Sequence, residues 1–221
     1  WGLGVPFTAG ERPRSFESPP PSETAAPAAA GPEAGGRRVL GQIANAYIIA
    51  ADGEGILVVD QHNAHERVLF DKFDDIDRKR AWPVTMSLVP IVFELSPSQA
   101  VRLESDRDDL ERAGFRVEPM GGRSFALREY PDLFKPEEAR EALLSLLEEP
   151  EETPRGGKRE RMLATLACKS AIKAGEPLPR EKMEFLVEEL FKTSNPSLCP
   201  HGRPIVVRIP LAHIEKGLKR A

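Results

Sequence analysis

The chain has 221 residues, a formal net charge of −4, 30% charged and 40% hydrophobic residues, 21 Pro, 17 Gly and 2 Cys. Two cysteines exclude a disulfide scaffold, and the charge balance excludes a nucleic-acid binder that works by bulk positive charge alone. No apolar run approaches the length of a membrane span, so no membrane partner is expected, and the length allows one or two domains with a sizeable core.

Residues 1–37 read as a disordered Pro/Ala/Gly-rich interdomain linker. Seven of the 21 prolines fall there, and residues 25–32 show no periodicity, so apolar burial cannot offset the entropy of ordering them. Together with Trp1 in place of Met, the linker leads us to expect a fragment with another domain upstream.

The body begins near Arg38. A single strand is predicted over 39–50, a hairpin turn at Asp52-Gly53, and a central strand at Ile56-Leu57-Val58-Val59. Asp60 ends it and a helix through Phe73 follows. After a basic, Pro-broken connection at 78–83, a strand is predicted from Leu88 to Phe93. Ser96 is placed as N-cap and Pro97 as first residue of the next helix, with Ala100, Leu103, Leu110 and Ala113 on its buried stripe. Phe115 and Val117 alternate with Arg116 and Glu118, Gly121-Gly122 turns the chain, and Phe125 and Leu127 continue the alternation. Pro136 opens a helix burying Ala139, Leu143, Leu146 and Leu147. Helical spacing holds through Leu163, Leu166, Ala167, Ala171 and Ala174, and again through Met183, Leu186, Val187, Leu190 and Phe191. A strand over 205–209 and a short helix after Pro210 close the chain.

Three segments concentrate metal-capable side chains. In Asp60-Gln61-His62-Asn63-Ala64-His65-Glu66, His62 and Glu66 are four apart and share one helix face, a workable imidazole–carboxylate pair. Asp60 is positioned to orient His62 or to ligate. Cys199-Pro200-His201-Gly202-Arg203-Pro204 sets a thiol and an imidazole two apart in a Pro/Gly-fixed loop, a donor set that suits zinc. Cys168, in Ala167-Cys168-Lys169, reads by itself as a small buried hydrophobe; its interest is that it is the other cysteine. The zinc-protease helix would need a second His at position 69, which is Leu69. Neither a Walker loop, nor a Rossmann fingerprint, nor a Gly-x-Ser-x-Gly elbow occurs. From Gly202 onward there are five Lys/Arg and one acid. This basic rim beside the Cys/His loop suits a phosphodiester or is a solvated terminal helix.

Residues 38–221 resemble the C-terminal domain of the endonuclease-bearing MutL mismatch-repair proteins. Asp60 through Asp71 resembles that family's Asp-Gln-His-Ala-x-x-Glu-x-x-x-x-Glu motif, Cys199 to Pro204 matches its Cys-Pro-His-Gly-Arg-Pro motif throughout, and Ala167-Cys168-Lys169 resembles its Ala-Cys-Arg motif, all in family order. The chain departs at Asn63 for Ala, Asp71 for the second Glu and Lys169 for Arg. It departs again at Thr85, where the family's clamp-contact motif, here Thr85-Met86-Ser87-Leu88-Val89-Pro90, begins with Gln.

The resemblance implies an α/β, two-lobed fold. A dimerisation lobe (38–84 and 158–221) would carry the metal site, and an external, regulatory lobe (85–157) would be inserted in it. It implies a homodimer that nicks one strand of duplex DNA by phosphodiester hydrolysis in DNA mismatch repair. The further partners would be a MutS-type mismatch sensor and a sliding clamp, with clamp contact weakened at Thr85. ATP would enter only through an upstream ATPase domain, and the protein would be cytoplasmic and nucleoid-associated. His62, Glu66, Cys168, Cys199 and His201 would hold one or two ions, zinc and/or manganese. Asp60, Asp71 and Arg203 would join His62 and Glu66 as catalytic residues, Arg203 as phosphate contact or loop brace. The alternatives are a non-catalytic dimerisation and partner-docking module, or a zinc-stabilised domain with no role on DNA.

Overall fold

The computed structural model describes residues 36–148, 157–173 and 175–220. The expected linker therefore lies outside the described residues except for its last two, as do Ala174 and most of the acidic stretch before residue 157.

The first sheet is antiparallel throughout, in the order β1 (Arg38–Ile43), β2 (Tyr47–Asp52), β3 (Gly55–Asp60) and β7 (Val206–Pro210). The β2–β3 hairpin turns where Asp52-Gly53 predicts, its Asp52 carboxylate accepting from the Glu54 and Gly55 N–H groups at 2.9 and 3.1 Å. The single strand predicted over 39–50 is in fact two. Ala44 and Asn45 take φ of 52° and 48° and reverse the chain between β1 and β2. An Ala-Asn pair without glycine gives little warning of such a left-handed turn. At the β3–β7 contact a Cβ on Gly55 would collide with the Ile209 carbonyl, so only glycine fits.

Period-two alternation divides this sheet into faces. Ile48, Ala50, Leu57 and Val59 point inward, each at most 1% exposed, and pack with α5 (Arg180–Leu190) and the start of α1 (Gln61–Arg78) through Met183, Leu186, Val187, Leu190 and Ala64. The other face aligns Ile49, Val58 and Val207 in one row and Ala51, Ile56 and Ile209 in the next. Val207 is 58% exposed, and Tyr47, Ile43 and Ile209 are also exposed, so an apolar sheet face is open to solvent.

The second sheet has the order β4 (Val84–Glu94), β6 (Ser124–Pro131), β5 (Arg116–Gly121), again antiparallel. Its strands pack with α2 (Pro97–Arg112), α3 (Pro136–Leu147) and α4 (Lys158–Ser170) around Phe93, Leu103, Leu110, Phe115, Leu127, Leu143, Leu163 and Leu166. Ser96 and Pro97 open α2 as predicted, through a reciprocal capping box with Gln99. β4 starts four residues before the predicted Leu88. Its pairing with β6 breaks between Met86 and Ile91, leaving Leu88 97% exposed.

The two cores share α1. Its first turns give Ala64 to one and its later turns give Phe73 to the other. Arg159 on α4 fastens that shared helix, with Nε 2.6 Å from Asp77 and Nη1 2.7 Å from Asp74. Helix α4 stops at Ser170, short of the predicted Ala171 and Ala174, and α6 (Leu211–Gly217) follows β7 with its first N–H bonded to the Glu54 carbonyl at 2.9 Å.

Candidate metal centre

The centre is built from the end of β3 outward. Asp60 is the N-cap of α1, its carboxylate accepting from the Asn63 N–H at 2.9 Å. Gln61 is fully buried, and its amide donates to the carbonyls of Asn45 at 2.8 Å and Glu176 at 3.0 Å, which fixes the first turn against the β1–β2 reversal. From that turn His62 and Glu66 project together, Nε2 to Oε1 being 3.2 Å.

Cys168 stands on the last turn of α4 and reaches the same place. Beyond it the chain crosses α1, and Ile172 is gripped at both of its backbone polar groups. His62 Nδ1 lies 2.8 Å from its carbonyl, and its N–H donates to His65 Nδ1 at 2.9 Å. The first bond puts a proton on His62 Nδ1 and turns Nε2 toward Glu66. The second requires His65 to be neutral. Burial accordingly pushes His65 down to about 4, with the positive charges of His62, Lys72 and Lys182 acting the same way.

The third contributor is the loop of residues 199–203. The Cys199 N–H donates to the Arg203 carbonyl and the Gly202 N–H to the Cys199 carbonyl, both at 2.9 Å. Gly202 takes φ +84°, so the loop closes tightly and presents Cys199 and His201 together. His201 Nδ1 lies 3.4 Å from Glu66 Oε2.

The five expected ligand residues therefore converge on one carboxylate. His62, Glu66 and Cys168 have ligand atoms all within 4.8 Å of one another, and so do Glu66, Cys199 and His201. Glu66 is 3% exposed and belongs to both groups, one oxygen facing each imidazole. Burial pushes its carboxyl up, but hydrogen bonds from His201, His62 and Cys168 outweigh that and hold it below the usual carboxylate range. Cys168 and Glu66 raise His62 to about 11, and Cys199 and Glu66 raise His201 to about 10.

These donors fit a divalent metal. Tetrahedral ligation with N and O about 2.0–2.1 Å from zinc sets neighbouring ligand atoms about 3.3 Å apart. The two observed N···O separations bracket that value and are longer than a charge-assisted hydrogen bond. Thiols and imidazoles favour zinc, and the carboxylate is open to harder ions.

The remaining expected residues sit elsewhere. The Asp60 carboxylate caps α1, and it is the Ile172 carbonyl, not Asp60, that holds His62. Asp71 is in neither group. It accepts from Arg67 at 2.7 Å and from the Ser194 N–H at 2.6 Å, tying α1 to the turn after α5. The Arg203 side chain is exposed while its carbonyl closes the loop. His65 was not singled out as a site residue; its place three positions from His62 on the same helix is the signal that could have found it.

Fold and site together define a two-sheet α/β domain carrying a shared-carboxylate Cys/His/Glu centre. The family described as the MutL C terminal dimerisation domain matches residues 40–178, and the chain belongs to that family. It is 40% identical over 187 residues to the DNA mismatch repair protein MutL of Koribacter versatilis, covering 83% of this chain and 29% of that protein. To the MutL proteins of Halothermothrix orenii and Methanothrix thermoacetophila it is 39% and 37% identical, again over 83% of this chain and over 29% and 33% of theirs. The chain thus spans about a third of the length of these relatives. No helix among the described residues is long and apolar enough to cross a membrane.

Proposed function

We propose that this chain is the dimerising, metal-dependent endonuclease domain of a mismatch-repair protein, nicking one strand of duplex DNA by phosphodiester hydrolysis. The observation that carries the reading is Glu66, buried between two imidazoles with one oxygen toward each and a thiol on either side. When bound, divalent cations, zinc and/or manganese, supply Lewis acidity toward a phosphodiester and lower the pKa of water at their side. His62, Glu66 and Cys168 would hold one ion and Glu66, Cys199 and His201 a second. Three protein donors on each side match catalytic zinc sites, which keep a position for water or substrate, better than closed structural ones. Ile172 and His65 orient His62, Asp60 fixes the turn that carries it, and Arg203 braces the loop. Asp71 acts as a strut.

The open apolar face of the first sheet supports a homodimer built there, as the family description of the matched region suggests. We assign the dimerisation lobe to 38–84 and 158–221 and the external lobe to 85–157. The exposed Met86, Leu88 and Val89 on the broken edge of β4 support a protein contact at the place of the clamp motif, weakened by Thr85. A MutS-type sensor and an ATP-binding domain would act through the longer protein.

The test is metal analysis of the purified chain with nicking of supercoiled plasmid under manganese. Parent protein that nicks, with His62→Ala and Glu66→Gln inactive yet dimeric, supports the reading. Full nicking by either variant overturns it, and a metal-free, inactive parent dimer leaves the docking-module alternative in its place.

A further inference from the structure

A cavity of about 90 Å³ opens between the ends of α2 and α3 and one face of α4, and His201 lies on its wall. That face is set by helical spacing. Arg161, Thr165 and Cys168 fall within a narrow arc of α4, while Leu163, Leu166 and Ala167 on the opposite arc are fully buried. The cavity thus lies along α4 between Thr165 and the helix's first turn, and His201 is the residue of the centre that borders it.

Its charges are unequally engaged. Lys158 bonds Asp106 at 2.8 Å and Asp109 at 2.7 Å, and Arg102 holds the other oxygen of Asp106. This closed network neutralises both aspartates. Arg161 stands on the same wall, half-buried, with no carboxylate in ion-pair reach among the described residues; Glu148, also on the lining, does not reach it. Thr165 donates its hydroxyl proton to the Arg161 carbonyl at 3.0 Å, so its oxygen remains an ordered neighbour of the cavity.

We infer that Arg161 is a DNA-phosphate contact that positions the strand at the metal centre. A guanidinium suits phosphate because its fork makes two parallel N–H···O bonds. Seven residues separate Arg161 from Cys168, a rise of about 10 Å along the helix, within the reach of a few linked nucleotides. A strand cut beside Cys168 and His201 would pass over Thr165 and present a phosphate near Arg161. A chain of net charge −4 then engages DNA through a discrete cation placed beside the chemistry instead of through a broad basic surface. The inference rests on the endonuclease reading for its substrate.

The experiment measures manganese-supported nicking kinetics on plasmid, and binding to a short fluorescent duplex across a salt series, for parent, Arg161→Ala, Arg161→Lys and Glu66→Gln. Loss of one phosphate contact reduces the slope of log K against log salt by about 0.9. Arg161→Ala is expected to show that smaller slope and a KM about tenfold higher, with kcat reduced less than twofold. Arg161→Lys recovers the slope but only part of the affinity. Glu66→Gln keeps the parental slope and loses nicking. An Arg161→Ala protein with parental slope and KM, or with kcat collapsed at unchanged KM, overturns the inference. A parent that binds the duplex but does not nick defeats the endonuclease reading alone, and the slopes still decide the role of Arg161.

Discussion

The N–H of Ile172 is bound by His65, and the carbonyl of the same residue lies against His62, one helical turn away. Two histidines on the backbone N–H and C=O of one residue thus lock the segment after α4 onto α1 and set the ring that faces Glu66. His65→Ala removes the lower clamp without touching a ligand. It should weaken metal affinity about ten- to a hundredfold, as loss of an outer-shell partner does, with the dimer retained. Competition with a chromophoric chelator measures it, and unchanged affinity would show that the crossing segment is held by other contacts.

Glu66 belongs to both three-donor groups, whereas Cys168 and Cys199 each belong to one. Cys168→Ser and Cys199→Ser should each reduce bound metal from about two ions per chain toward one, and Glu66→Gln should lower both affinities. Elemental analysis after gel filtration gives the count. Equal loss of both ions in either cysteine variant would mean that the groups do not fill independently.

The open sheet face predicts a solution property. Val207 is exposed and ends the row Ile49–Val58–Val207 on the edge strand β7. Val207→Glu should leave monomer stability within about 0.5 kcal/mol while weakening the dimer by about 2 kcal/mol or more. Sedimentation across a dilution series reads this directly, and an unaffected dimer would locate the interface elsewhere.

Arg159 joins α4 to α1 through Asp77, which is 4% exposed. Arg159→Ala leaves that carboxylate buried with the Trp82 indole N–H, 3.3 Å away, as its remaining side-chain partner among the described residues. The expected cost is about 2–3 kcal/mol of unfolding free energy, measured by urea denaturation. Asp77→Asn in the same background should recover part of it by removing the charge.

Asp52 contributes to the acid dependence, beside the other lowered carboxyls of Glu66, Asp74 and Asp106. Its hydrogen bond to Arg208, helped by the Glu54 N–H, lowers its carboxyl from 3.8 to about 2. A group depressed in the folded state stabilises fully above its unfolded pKa and loses that contribution as pH falls through its folded one. Stability should therefore decline between about pH 4 and 2, and Asp52→Asn should flatten that part of the curve. A parental slope in the variant would assign the acid limb to other carboxylates.

Much of this centre could be read before folding. The His62/Glu66 pair is legible because helix spacing alone puts both on one side, and the Cys-Pro-His-Gly-Arg-Pro loop because proline and glycine fix its shape. The role of Ile172 was illegible, since a peptide carbonyl carries no residue identity. The family resemblance gives Asp71 a catalytic place at the motif's second carboxylate, but its side chain faces Arg67 and Ser194, on a different side of α1 from Glu66. The early end of α4 was hidden because the apolar spacing runs on through Ala171, whereas the backbone turns extended there and the next residue, Ile172, is held by His62 and His65. The β1–β2 reversal was missed because Ala44-Asn45 lacks the glycine that announces such turns.

The donors around Glu66 are far apart in the chain. Position 168 is 102 residues later and position 199 a further 31. Chain growth from the N-terminus delivers the His62–Glu66 pair first, the Cys168 thiol next, and Cys199 with His201 last of the five. Under the metal-dependent reading, the full donor set around Glu66 therefore assembles only once residue 201 has joined the chain.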